Sequence, residues 1–168
     1  MSLSMYQASV PVLLRNLKNL SAVLAKGAAN AEARKIDPSV FVNARLAPDM
    51  HPLSRQIQIA TDSAKGAGAR LAGIEVPSFE DNETTFADLQ ARLAKTIAFL
   101  ETLKPAQIDD SEEKTITLKL GGREVSFSGQ NYLLNFALPN FWFHYTTAYA
   151  ILRHNGVDIG KMDFMGGI

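Results

Sequence analysis

Of the three histidines in this 168-residue chain, His144 alone falls where an imidazole needs a partner. It sits in the run Phe141-Trp142-Phe143-His144-Tyr145, the most hydrophobic stretch of the sequence. Asn140 precedes it by four residues, so on a helix both side chains project from one face. A buried polar group without a partner costs about 1–3 kcal/mol, so this pair must be answered by a neighbouring helix. Gln56 and Asp62 are the candidates that the pattern supplies. One role for such a cluster is a hydrogen-bond network that fixes helix register. The other is chemical. His144 would then hold a divalent metal or act as acid and base, with Asp62 as acid, base or ligand and Asn140 orienting substrate or metal. Residue types alone favour the first role, because buried polar groups are usually just satisfied. His154, beside Arg153 near a helix end, reads as a charge that complements the helix dipole. His51 reads as a solvent-facing residue in a first helical turn.

Cysteine is absent, which removes disulfides, thiolate zinc sites and thiol catalysis. The sequence has no phosphate-binding loop, no dinucleotide glycine fingerprint, no HExxH and no nucleophile elbow. Lysine plus arginine equals aspartate plus glutamate, 17 against 17, so no nucleic-acid partner is expected. No apolar run reaches the roughly 20 residues of a membrane span, so no membrane partner is expected either. Met1–Val10 lacks the basic-then-apolar pattern of a signal peptide, which points to the cytoplasm.

The elements that must position these residues are read from apolar spacing. Tyr6, Val10, Leu13, Leu17, Leu20 and Leu24 alternate by four and three, which predicts a first helix. Pro11 places its start near Ser9 or else kinks a longer helix, and Gly27 is expected to end it. Residues 28–48 read as a connection with a short helical piece at Ala31–Lys35. Met50, Leu53, Ile57, Ala60, Ala64, Ala67 and Leu71 predict a second helix, capped by Asp49 and closed by Gly73. Its small residues invite close approach of a neighbour. After a polar turn at 74–83, Thr85 and Asp88 stand at capping-box spacing ahead of Phe86, Leu89, Leu93, Ile97, Leu100 and Leu103, with Pro105 as the stop.

Thr115–Leu120 and Arg123–Ser128 flank Gly121-Gly122, a two-residue hairpin turn. Folded about it, Leu118 faces Val125 and Ile116 faces Phe127, so the apolar residues share one face. The fourth helix is predicted over Gln130–Asn155, with Leu133, Phe136, Asn140, Phe143, Thr147 and Ile151 as its stripe, a bend at Pro139 and an end at Gly156. The glycine-rich tail from Val157 onward reads as irregular. Four amphipathic helices can bury their stripes only against one another. The expectation is therefore an all-α four-helix bundle, one domain over residues 1–168, with a small β-hairpin between helices three and four. The long connections leave the helix order open.

Two blocks carry a resemblance. One is Leu138-Pro139-Asn140-Phe141-Trp142-Phe143-His144 followed by Tyr149-Ala150-Ile151-Leu152-Arg153-His154-Asn155-Gly156-Val157. The other is Arg45-Leu46-Ala47-Pro48-Asp49-Met50 with Arg55-Gln56-Ile57-Gln58-Ile59-Ala60 and Arg70-Leu71-Ala72-Gly73. Together they resemble a bacterial domain-of-unknown-function family grouped with the DinB/YfiT-like bundles, over nearly the whole chain. The resemblance implies a bundle that is often a homodimer. In the wider superfamily three histidines, one from helix two and a pair four apart on the last helix, frequently bind a divalent metal. Some members are metal-dependent thiol transferases, isomerases or hydrolases. Matching the leucine-arginine…glycine ending puts His144 on the final ligand histidine and Asn140 on its partner. Helix two has no histidine at mid-length, which leaves Asp62 or Gln56. An amide oxygen is a poor substitute for imidazole at zinc or nickel. The implied site is thus degraded to one histidine, His144, and no bound metal is favoured over zinc, nickel or manganese. What the resemblance implies is a DinB-like bundle protein that binds a small molecule or is a metal-dependent enzyme. The alternative is a non-catalytic homodimer whose Asn140–His144 cluster is structural.

Overall fold

The computed structural model describes residues 3–167. The chain is mostly helical, with one two-stranded antiparallel hairpin. Helix α1 runs from Met5 to Ala33. It starts earlier than Ser9 because Ser4 and Gln7 form a reciprocal cap: Gln7 N–H donates to Ser4 Oγ and Ser4 N–H to Gln7 Oε1. Pro11 is carried inside the helix, and Gly27 does not end it. Gly27 is instead buried against Leu152 and Phe86, and the piece expected at Ala31–Lys35 is largely the last turn of α1. A short helix α2, Pro38–Val42, is capped by Asp37 and buries Phe41 and Val42.

Helix α3 spans Leu53–Ala72. Asp49 does not cap it. Pro52 keeps His51 out of helical backbone and is itself extended at ψ 167°, so the helix begins at Leu53 and His51 lies outside it. Gly73, at φ 73°, ends it as expected. Helix α4, Phe86–Glu101, opens on the Thr85–Asp88 capping box, and Pro105 begins a short helix α5, Pro105–Ile108. Strands β1 (Thr115–Leu120) and β2 (Arg123–Ser128) pair in the expected register, with Ile116 opposite Phe127 and Leu118 opposite Val125.

The last long segment consists of α6 (Gly129–Tyr132), a π-helical turn (Leu133–Ala137) and α7 (Leu138–His154). In the π turn, Leu138 N–H donates to the carbonyl of Leu133, five residues back rather than four. Pro139, which has no N–H to give the preceding turn, follows directly. The extra residue rotates everything after it by about 100° relative to an unbroken α-helix. The stripe read from the sequence therefore fails at Asn140 and Phe143, while Thr147 and Ile151 further along are buried as expected. Phe143 is 56% exposed, whereas Phe141, Tyr145, Ala148 and Leu152 are buried. Asn140 and His144 move from the centre of the buried face to its margin, where both are half-buried.

Helix α3 packs on both α4 and α7, and α1 packs mainly on α4. Leu17, Leu20 and Leu24 of α1, Ile57 and Leu71 of α3, and Leu89 and Leu93 of α4 are fully buried. Each contributes roughly 1.5–3 kcal/mol by leaving water. The small residues Ala60, Ala64 and Ala67 are buried as well, which lets α3 approach its neighbours. The tail is not wholly irregular. Helix α8 (Lys161–Met165) returns onto α1, and Phe164 stacks on Tyr145 at 4.3 Å while Tyr145 Oη donates to the Phe164 carbonyl.

Candidate functional site

The contact between α3 and α7 holds the polar residues singled out from the sequence. His144 Nδ1 lies 2.7 Å from Gln56 Oε1. Gln56 Nε2 donates to the His51 carbonyl at 3.0 Å, which leaves Oε1 as the acceptor and places the imidazole proton on Nδ1. Gln56, not Asp62, is thus the partner of His144. One turn earlier on α7, Asn140 Nδ2 donates to Ser63 Oγ at 2.8 Å, and Ser63 donates to the Ile59 carbonyl. The two α7 side chains form two hydrogen-bonded struts to α3.

Burial holds the His144 pKa down at about 4 from its ordinary 6.5, and the nearby charges of His51 and Arg55 push the same way. The ring is neutral at pH 7. A base that weak takes up little proton at neutral pH, and its Nδ1–H is already committed to Gln56.

Asp62 faces a different set of groups. Its Oδ1 accepts from Arg92 Nη2 and Lys65 Nζ, both at 2.8 Å. The Arg92 side chain is 1% exposed and also reaches Glu83 Oε1 at 2.9 Å, Asp81 Oδ1 at 3.1 Å, the Glu80 carbonyl and Thr61 Oγ1. Burial raises the Glu83 carboxyl pKa, but hydrogen bonds from Arg92 and Gln58 outweigh it, and the net shift is downward. This ionic centre clasps the segment between α3 and α4 and was not foreseen. Its signal was present in the sequence: Arg92 lies between Leu89 and Leu93 on α4, and the preceding loop reads Glu80-Asp81-Asn82-Glu83.

Asp62 and Asn140 do share one feature. Both line a cleft of about 230 Å3 between α3, the hairpin and the last helix, together with Ser63, Arg70, Leu118 and Tyr132. His144 does not line it. A second depression, of about 620 Å3, opens beside Phe79, Glu83, Arg92 and Lys95.

The family model described as "Domain of unknown function (DUF1993)" matches residues 5–165. The chain belongs to the DUF1993 family. A solved structure described as that of a DinB family member protein from Shewanella denitrificans is 40% identical in sequence. It superposes with a TM-score of 0.87, over 97% of this chain and 92% of the other, which places the DUF1993 chain in the DinB-like grouping. No curated protein matches the sequence.

The DinB-like grouping raises the question of a metal. The donors that α3 and α7 bring together are Gln56, Ser63, Asn140 and His144, only one of them an imidazole and each already hydrogen-bonded. Among the described residues no three His, Cys, Asp or Glu side chains come close enough to share an ion. Amide and hydroxyl oxygens with one imidazole are a poor donor set for zinc or nickel. The residues present do not fit a three-histidine centre. No helix among the described residues is long and apolar enough to cross a membrane.

Proposed function

We propose that this DUF1993 protein is a four-helix bundle of the DinB type that binds a small molecule without a metal, in the cleft between α3, the hairpin and the last helix. The observation that carries this reading is the division of labour around Asn140. Its Nδ2 is used to tie α7 to α3, yet the residue lines the cleft alongside Asp62, Ser63, Arg70 and Tyr132. Small-molecule sites are concave and mix an apolar wall with a few convergent polar groups, and here Leu118 and Phe136 supply the wall. His144 serves as a strut rather than as acid or base, since its ring is neutral and its Nδ1–H is bonded to Gln56.

Two measurements test the reading. Dialysis against zinc, nickel or manganese followed by elemental analysis should leave far less than one ion per chain. A stoichiometric ion that is lost in His144→Ala would overturn the metal-free part. Ligand-observed NMR with a library of small polar metabolites should yield binders that disappear in Ser63→Leu, which fills the cleft. Binders indifferent to that change would place recognition elsewhere.

A second reading, a non-catalytic homodimer, draws support from Leu134 and Phe143, which stand 48% and 56% exposed on the last helical segment. Sedimentation equilibrium of the wild type against Phe143→Ser tests it: a dimer that dissociates in the variant supports this reading, and a monomeric wild type excludes it.

A further inference from the structure

Arg70 stands in the last turn of α3, where a cation complements the helix dipole, but most of its donors are unspent. Its Nη1 donates to Tyr132 Oη at 3.1 Å, and among the described residues it forms no ion pair. A guanidinium carries five N–H donors, so one phenol leaves most of them unused. The guanidinium is folded back over its own helix. A Cβ at position 66 would lie 2.3 Å from Arg70 Nη1, so the glycine one turn earlier is what makes room for it. Tyr132 is 1% exposed, and burial raises its pKa above the ordinary value against a smaller opposing pull from Arg70, so it remains a phenol. Its oxygen accepts from Arg70, and its own hydrogen finds no acceptor among the described residues. Unused donors from a guanidinium and a phenol therefore meet at one end of the cleft. Lys119 adds a second positive charge to the lining. The single lining carboxylate, Asp62, spends Oδ1 on Lys65 and Arg92.

We propose that Arg70 and Tyr132, seated by Gly66, form an oxyanion receptor, and that the cleft takes a small organic carboxylate or phosphate carrying a hydroxyl or amino group. Planar bidentate capture of a carboxylate or phosphate is the chemistry a guanidinium performs best. The hydroxyl or amino group is accounted for by the acceptors left over on the other side. Asn140 Oδ1 and Asp62 Oδ2 make no hydrogen bond within the described residues, while their neighbouring atoms Nδ2 and Oδ1 are engaged. The cleft volume of about 230 Å3 restricts the ligand to a small metabolite. The proposal rests on this cleft being the binding site and adds the charge class of the ligand.

The test titrates the full chain with lactate, acetate and inorganic phosphate, and with lactamide as the uncharged counterpart of lactate, following backbone amide shifts by 15N NMR. Lactate or phosphate should perturb residues around the cleft and lactamide should not, the tighter of the two identifying carboxylate or phosphate as the source. Lactate should also bind more tightly than acetate. Arg70→Gln should weaken binding about 10- to 100-fold, the range expected for a charged hydrogen bond. Gly66→Ala keeps the guanidinium but displaces it, so it should weaken binding comparably while the melting temperature is held or rises. Lactamide binding as tightly as lactate, in wild type and Arg70→Gln alike, would overturn the receptor and leave the cleft reading intact. Charged probes that leave the cleft resonances still, where library compounds move them, would do the same. Silence from both probes and library would remove both.

Discussion

Titrating His144 provides the sharpest check on the α3–α7 contact. The ring should protonate near pH 4 in the folded chain and near 6.5 in the unfolded one. Above pH 6.5 neither state carries the proton, and the interaction is neutral with respect to pH. Below it the unfolded state binds a proton that the folded state refuses, so stability falls as pH drops from 6.5 towards 4 and levels off below. The interval from 6.5 to about 4 corresponds to about 3 kcal/mol at 1.36 kcal/mol per pH unit. Because the ring is only half-buried, solvent screening reduces this to roughly 1–2 kcal/mol. The assay is urea denaturation of the wild type and of His144→Gln from pH 7.5 to 4. The carboxylates titrate in both, so the difference between the two curves isolates the imidazole. The wild type should lose roughly 1–2 kcal/mol relative to the variant over that range. The His144 Cε1 proton should shift with a midpoint near 4 by NMR. Parallel stability curves together with a midpoint near 6.5 would refute a buried, neutral strut.

Two other perturbations probe the rest of the framework. Arg92→Met strips Glu83 and Asp62 of their common cation, which should lower unfolding free energy by about 3 kcal/mol and open residues 74–85 to limited proteolysis; unchanged stability and unchanged cleavage would show the ionic centre to be decorative. Phe143→Ser should leave unfolding within about 0.5 kcal/mol of wild type, whereas Phe141→Ala should cost about 3–5 kcal/mol; thermal or urea melts that reverse this order would contradict the winding of the last helix.

How far the sequence anticipated the molecule depends on what each signal reported. Apolar spacing located the long helices because each buries a continuous stripe, and the Gly121-Gly122 turn set the strand register because alternation allows only one pairing that keeps Ile116, Leu118, Val125 and Phe127 together. Helix ends were harder to read. Gly27 carried the mark of a terminus yet serves as a small residue beneath Leu152, and Asp49 lost its cap role to the backbone restriction imposed by Pro52. The last helix misled at Asn140 and Phe143, since the π turn changes which residues face inward without changing their types, although Leu133, Thr147 and Ile151 are buried as read. Of the two partners the pattern offers His144, Gln56 is the one that meets it. Asp62 was not separable from it by pattern, because both lie on α3 and only the packing of Arg92 shows which way the carboxylate turns. Pattern does not single out Arg70 for a similar reason: its place in the cleft depends on what is missing at position 66.

The single π turn gives the protein an unusual kind of adjustability. Rewinding Leu133–Ala137 as ordinary α-helix, with no residue removed, would swivel the rest of the helix by about 100°. Phe143 would swing towards the interior, and Asn140 and His144 would be carried away from Ser63 and Gln56. Which chemical groups this helix presents to its partner is therefore decided by main-chain winding as much as by side-chain identity. A relative with the same Leu138–His144 motif but one residue fewer upstream would need no π turn to show α3 the same face.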